Sequence, residues 1–156
     1  MTTASSPSTS ADASVPHGRR VAVLLRLLAA ICSITGAFAI AAPHSFYRHV
    51  IGVHLLGPYN EHLVSDVGGF YLGFGLMFAW AARAPSRQLV RASCAGFALT
   101  QTAHFIWHAL NLQPFTFAQG TLQTTGLAVF LALPLAVLYL SRSDEPPPRP
   151  APRSRR

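Results

Sequence analysis

The side chains in this sequence that could bind a ligand are concentrated in two short segments. His62 and Asp66 lie four residues apart, and His104 and His108 repeat the same spacing. Residues four apart share one face of a helix, so each pair presents two donor groups side by side. Three imidazoles and one carboxylate are a donor set that suits Zn²⁺ or Cu²⁺. The spacing therefore raises the hypothesis of a metal site formed by these four residues.

Further polar side chains extend the cluster around these pairs. On the second of the two segments, polar residues recur at intervals of three and four from position 101 to position 111, which places them on one stripe of a helix. Because a polar stripe that faced lipid would be costly, we expect the stripes to point toward one another. The residues added to the cluster are Glu61, Gln101, Asn111, Gln119 and Gln123.

The same cluster has three other interpretations. The first is a hydrogen-bond network that holds helices together. The second is a haem b site that uses His62 and either His104 or His108, and the third is a quinone or small-lipid pocket walled by Phe105 and Trp107. The sequence contains no GxSxG motif, no HExxH motif and no glycine-rich phosphate loop, so no motif indicates hydrolysis or phosphoryl transfer. This absence favours a protein that is not an enzyme on its own.

The composition indicates that these residues lie in a membrane protein. Of the 156 residues, 51% are apolar and 11% are charged, against about 25% charged in soluble domains. Four apolar segments have roughly the 20 residues that a helix needs to cross a bilayer: 21–42, 62–82, 89–110 and 120–140. None alternates with the period of two expected of a barrel strand. The sequence predicts an all-α integral membrane protein, with a bundle of four transmembrane helices over residues 21–140.

The arginines predict how these helices are oriented. All 12 basic residues are Arg, and 11 of them flank the helix ends on one side of the membrane, whereas Arg48 falls on the other. The positive-inside rule makes that side, with both termini, cytoplasmic, in a bacterial inner membrane. Because these arginines flank apolar segments and do not cover one face of a domain, we expect no nucleic-acid partner. The expected partners are the bilayer and another membrane protein or a second copy.

The segments outside the helices have distinct compositions. Residues 1–20 and the Pro/Arg-rich residues 141–156 are predicted to be disordered cytoplasmic tails. The outer loop, 43–61, is predicted to contain a short amphipathic helix at the membrane interface. Within the second apolar segment, Gly69 and Gly73 predict a close contact between helices. Cleavage of the first segment as a signal peptide is the less favoured alternative, because its apolar stretch exceeds the usual 7–15 residues.

One stretch carries a resemblance to a known family. GPYNEHLVSDVGGFYLGFGLMFAWAA, followed by an Arg-flanked turn and QTAHFIWHALNL, resembles actinobacterial members of the DoxX-like superfamily of small four-helix membrane proteins. The resemblance covers residues 21–140, with its specific part at 57–112. It implies a role as a membrane subunit of redox or thiol-stress assemblies. The sequence thus favours a membrane module or complex subunit with a polar cluster at its outer face, and a metal- or haem-binding redox protein is the alternative.

Overall fold

The computed structural model describes residues 18–142, and these residues are helical apart from their connecting turns. The helices are α1 Gly18–Ala41, α2 Pro43–His49, α3 Glu61–Arg83, α4 Arg87–Leu110 and α5 Phe117–Arg142, with a short 3-10 turn at Val53–Leu55. The described residues contain no strand, so the predicted all-α class is confirmed. Three helices, α1, α3 and α5, are long and apolar enough to span a membrane.

The four long helices follow the four apolar segments of the sequence, and no helix end differs from its predicted position by more than three residues. The ends of α3 and α4 have a clear local cause. The Asn60 side chain accepts a hydrogen bond from the Leu63 amide at 3.1 Å, and the Ser86 hydroxyl accepts one from the Leu89 amide at 3.2 Å. Both residues are helix N-caps, which satisfy amides that have no partner within the helix.

The predicted tails fall almost wholly outside the described residues. Of the segment 1–20, only 18–20 are described, and they form the start of α1. Of the segment 141–156, only 141–142 are described, and they form the end of α5. The proposed disorder of both tails therefore stays a prediction.

Helices α1 and α3 pack so closely that their backbones touch. A Cβ atom at Gly36 would lie 2.6 Å from the carbonyl oxygen of Gly68, and a Cβ at Gly75 would lie 2.5 Å from the Ser33 hydroxyl. The sequence predicted that Gly69 and Gly73 would allow such a contact, but no helix of the described chain makes it there, because a Cβ at either position would meet nothing within 4 Å. At about 100° of rotation per residue, these two glycines lie on a different face of α3 from Gly68.

An aromatic core joins the other helices. Phe97 of α4 is fully buried, with ring centroids 5.0 Å from Phe74, 5.3 Å from Phe78 and 5.2 Å from Phe130. The first two partners belong to α3 and the third to α5. Each long helix has two neighbours, in the order α1, α3, α4, α5 and back to α1.

The two ends of the molecule differ in charge. Successive long helices run antiparallel, so the start of α1, the end of α3, the start of α4 and the end of α5 meet at one end, which we call the arginine end. The described arginines at this end are Arg19, Arg20, Arg26, Arg83, Arg87, Arg91 and Arg142. The acidic residues within 18–142, Glu61 and Asp66, lie at the opposite end, which we call the loop end.

The outer loop folds over the loop end. Its short helix α2 confirms the predicted helix. The Phe46 side chain of α2 is buried against Ala39 and Val64, so it packs inside the protein and not at the membrane surface. The Tyr47 hydroxyl donates a hydrogen bond to the carbonyl oxygen of Gly57 at 2.7 Å, which holds the loop back on itself. The loop is therefore anchored against α1 and α3 at this end through Phe46.

Candidate functional site

The candidate site is a polar cluster at the loop end, between α4, α5 and the outer loop. His108 is buried, and its Nδ1 atom makes a short contact with the side-chain amide nitrogen of Gln123 on α5. His104 lies one helical turn away, exposed at the rim, with its ring centroid 4.5 Å from that of His108. The predicted polar stripe of α4 therefore exists, and it faces the polar start of α5.

A second polar contact lies deeper in the same helix. Gln101 is buried, and its amide nitrogen donates a hydrogen bond to the Tyr71 hydroxyl at 3.3 Å. Tyr71 belongs to α3 and was not among the predicted site residues. The signal that identifies it is chemical, because a tyrosine in the middle of an apolar helix needs a partner for its hydroxyl. This hydrogen bond links α3 to the polar stripe of α4.

Two acceptors in the cluster have no donor. The side-chain carbonyl oxygens of Gln101 and Gln123 are buried, and neither has a hydrogen-bond partner within the described part of the chain. An unpaired buried polar group costs about 1–3 kcal/mol, so a bound water or a ligand with N–H or O–H groups would stabilise either position. The cluster is therefore suited to hydrogen bonding with a group that carries an N–H or O–H donor.

The outer loop closes the cluster through a glycine. Gly52 has a φ of 85°, in the left-handed region that favours glycine. A Cβ atom there would lie 2.6 Å from the Phe115 ring and 2.7 Å from the side-chain carbonyl oxygen of Gln123. A residue without a side chain is thus required for the loop to approach α5, and the sequence analysis did not single out this position.

The polar pair on α3 is not part of this cluster. The His62 Nε2 and Asp66 Oδ2 atoms are 3.5 Å apart, and their side chains are 87% and 52% exposed. The expectation that the polar stripes of all three helices face one another is therefore wrong for α3. Its inner faces are occupied by Gly68 against α1 and by Phe74 against α4, and the helical repeat turns His62 and Asp66 away from both.

The four residues of the metal hypothesis are consequently divided into two pairs. Residues 18–142 contain no group of three or more His, Cys, Asp or Glu side chains that could hold a metal ion. Zn²⁺ or Cu²⁺ coordination by His62, Asp66, His104 and His108 stays a prediction that this arrangement does not support. The same holds for a haem between His62 and a histidine of α4, because His62 pairs with Asp66 on the exposed face.

The remaining predicted residues stabilise local structure. The side-chain amide of Asn111 donates to the Trp107 backbone carbonyl oxygen at 2.7 Å, at the end of α4. The Gln119 side chain accepts from the Thr116 backbone amide at 3.0 Å, at the start of α5. Partial desolvation, followed by the charge and hydrogen bonding of the Glu61 carboxylate, raises the pKa of the Tyr59 phenol in the outer loop. The predicted residues Glu61, Asn111 and Gln119 therefore act outside the cluster.

No protein-family model, curated protein or solved structure matches this chain. The interpretation of the cluster therefore rests on its own geometry.

Replacing Gln123 with leucine tests whether the contact with His108 stabilises the fold. The change leaves a buried imidazole without its partner, so we expect a loss of about 1–3 kcal/mol in unfolding free energy. The measurement is unfolding of the purified protein in detergent, with Gln88→Leu at an exposed position as the matched control. Equal stability of the two variants would contradict a stabilising role for this contact.

Proposed function

We propose that this chain is a multi-pass protein of a bacterial inner membrane, with α1, α3, α4 and α5 as transmembrane helices and both termini in the cytoplasm. The arginine end supports this orientation, because positively charged residues collect on the cytoplasmic side. Helix α4 is the most polar of the four, but its length of 24 residues equals that of α1. It also exposes large apolar side chains such as Leu99, as a lipid-facing helix does. The proposal includes the relationship to the DoxX-like superfamily.

The proposed role is that of a membrane module that joins a complex through α3. The observation that carries this proposal is the exposed pair His62–Asp66. Asp66 lies five residues inside α3, about 7.5 Å below its first residue at 1.5 Å per residue. A charged side chain in contact with hydrocarbon costs several kcal/mol, so polar residues on a spanning helix normally face protein or water. A protein partner that covers this face of α3 removes the cost.

The buried cluster of α4 and α5 has a supporting role in this proposal. Its contacts join α4 to α5 through Gln123 and α4 to α3 through Tyr71. In a bilayer, such interhelical hydrogen bonds contribute to association where no hydrophobic driving force exists between helices. The cluster therefore keeps the helices in place while the exposed face of α3 binds its partner.

A photocrosslinking experiment in native membranes tests the role of α3. A photoreactive amino acid replaces Phe70 on the exposed face of α3 or, as the control, Leu99 on α4, and these two side chains are 72% and 73% exposed. We expect the probe at position 70 to form a discrete protein adduct and the probe at position 99 to react mainly with lipid. Absence of any protein adduct at position 70, or equal adducts at both positions, would contradict the proposal.

A further inference from the structure

Exposed arginines from two helices lie together at the arginine end, where α1 packs against α3. Ser33 of α1 touches α3 at Gly75, since a Cβ atom on that glycine would lie 2.5 Å from the Ser33 hydroxyl. Seven residues are close to two helical turns, so in this antiparallel pair Arg26 lies on the same side of α1 as Ser33 and level with Ala82 of α3. Arg83 is the next residue of α3, and both arginines are exposed. The two guanidinium groups therefore lie beside the same seam between α1 and α3.

A third arginine and a tryptophan extend this basic surface. Arg19 lies seven residues before Arg26, so it occupies the same side of α1 about two turns nearer the end, and it is also exposed. Trp80 lies three residues before Arg83 on the same face of α3, and its side chain is 63% exposed. We call Arg19, Arg26, Arg83 and Trp80 the seam patch. Arginine and tryptophan are residues that membrane proteins place at the boundary between lipid and water.

Arg26 is the member of the seam patch that most needs an anion. It lies eight residues inside α1, about 12 Å from the first residue at 1.5 Å per residue. The nearby Val23 and Leu27 side chains are 54% and 44% exposed, so the surface around it is apolar. A cation on such a surface is costly unless it reaches water or an anion. Within the described chain no acidic side chain lies near it, since Glu61 and Asp66 are at the loop end.

We infer that the seam patch binds the headgroup of an anionic phospholipid of the cytoplasmic leaflet. This inference rests on the membrane orientation in the proposed function and adds a ligand to it. A guanidinium group forms paired hydrogen bonds with phosphate oxygens, and groups from two neighbouring helices can share one phosphate. A zwitterionic headgroup would bring an ammonium group beside the arginines, so a headgroup with a net negative charge, such as that of phosphatidylglycerol, is favoured. The apolar surface around Arg26 suits the acyl chains of the same lipid, which a free phosphate ion does not have.

Fluorescence quenching in phosphatidylcholine vesicles tests this inference on the purified chain. Trp80 belongs to the seam patch, and Trp107→Phe removes the second of the two tryptophans and leaves Trp80 as the single reporter. Brominated phosphatidylglycerol or brominated phosphatidylcholine is included in the vesicles, and the quenching of Trp80 gives the relative affinity of the two lipids. We expect phosphatidylglycerol to be preferred by about fivefold or more. Equal quenching by the two lipids would overturn the inference.

Paired charge removals separate the seam patch from the general attraction of a basic surface. Arg26→Gln with Arg83→Gln removes two charges from the patch. As the control, Arg20→Gln with Arg142→Gln removes two charges from exposed positions at the same end, on α1 and α5. Arg20 lies about 120° around α1 from Arg26. We expect the first pair to lose most of the preference for phosphatidylglycerol and the control pair to keep it, and an equal loss in both would overturn the inference.

Two further outcomes would identify a different anion. The acids outside the described residues are Asp12, Asp144 and Glu145. They are present in the tested chain, so their binding to the seam patch would remove the lipid preference and overturn the inference. Displacement of phosphatidylglycerol by inorganic phosphate at constant ionic strength would indicate a site for a soluble anion and would also overturn it.

The outcomes also separate this inference from the proposed function. A protein adduct at position 70 without a lipid preference at Trp80 would overturn the inference and leave the role as a complex subunit intact. A lipid preference without the adduct would support the inference and contradict that role. Absence of quenching by either lipid would show that Trp80 does not lie in a membrane, and it would contradict both proposals.

Discussion

Replacing Phe97 with alanine should lower the unfolding free energy by about 3–5 kcal/mol, the usual cost of removing a buried aromatic ring. The Phe97 ring is fully buried and lies within 5.3 Å, centroid to centroid, of Phe74, Phe78 and Phe130. These partners come from α3 and α5, so the cavity opens where three helices meet. Packing contacts of this kind are a main source of stability between helices in a bilayer, where lipid tails are as apolar as the side chains.

The matched control for this prediction is Phe117→Ala, which removes the same ring from a side chain that is 92% exposed. The measurement is thermal or denaturant unfolding of both variants in the same detergent. We expect Phe117→Ala to leave stability nearly unchanged. A similar loss in the two variants would show that Phe97 does not organise the core.

Replacing Gly36 with alanine should separate α1 from α3. The added Cβ atom would lie 2.6 Å from the carbonyl oxygen of Gly68 and 2.7 Å from the amide nitrogen of Leu72, and both atoms belong to backbone that cannot rotate away. Overpacking of this kind costs about 1–3 kcal/mol and occasionally more. We therefore expect a clear decrease in the unfolding temperature and in the yield of folded protein.

Gly126→Ala is the control for this substitution, because a Cβ at Gly126 would meet nothing within 4 Å and the residue also lies inside a helix. Within a helix, alanine is more favourable than glycine by about 0.5–1 kcal/mol. We therefore expect this variant to be at least as stable as the original chain. If Gly36→Ala were as stable as Gly126→Ala, or more stable, α1 and α3 would not be in backbone contact.

The contact between α1 and α3 also determines which face of α3 remains available to a partner. Gly68 and Gly75 face α1, and at about 100° per residue this orientation turns Gly69, Gly73 and Asp66 outward. A variant that loosens this contact should therefore weaken the fold and also disturb the face of α3 on which the proposed partner docks.

The sequence by itself determined the elements of this protein. Apolar segments of the length of a membrane span predicted the positions of all four long helices to within three residues, because hydropathy and length are local properties of the chain. The gathering of the arginines at one end of the helices and the short helix α2 were also predictable. So was the polar stripe of α4, since the spacing of residues 101, 104 and 108 places them on one helical face whatever surrounds it.

Only the tertiary structure decided how each helix is rotated against its neighbours. Periodicity shows that His62 and Asp66 share a face, but it does not show whether that face points to α4 or away from it. In a membrane protein, both the lipid-facing and the protein-facing sides of a helix are apolar, so hydropathy does not distinguish them. Backbone contact at Gly36 and aromatic packing at Phe97 determine the rotation, and they separate the α3 pair from His108 and Gln123.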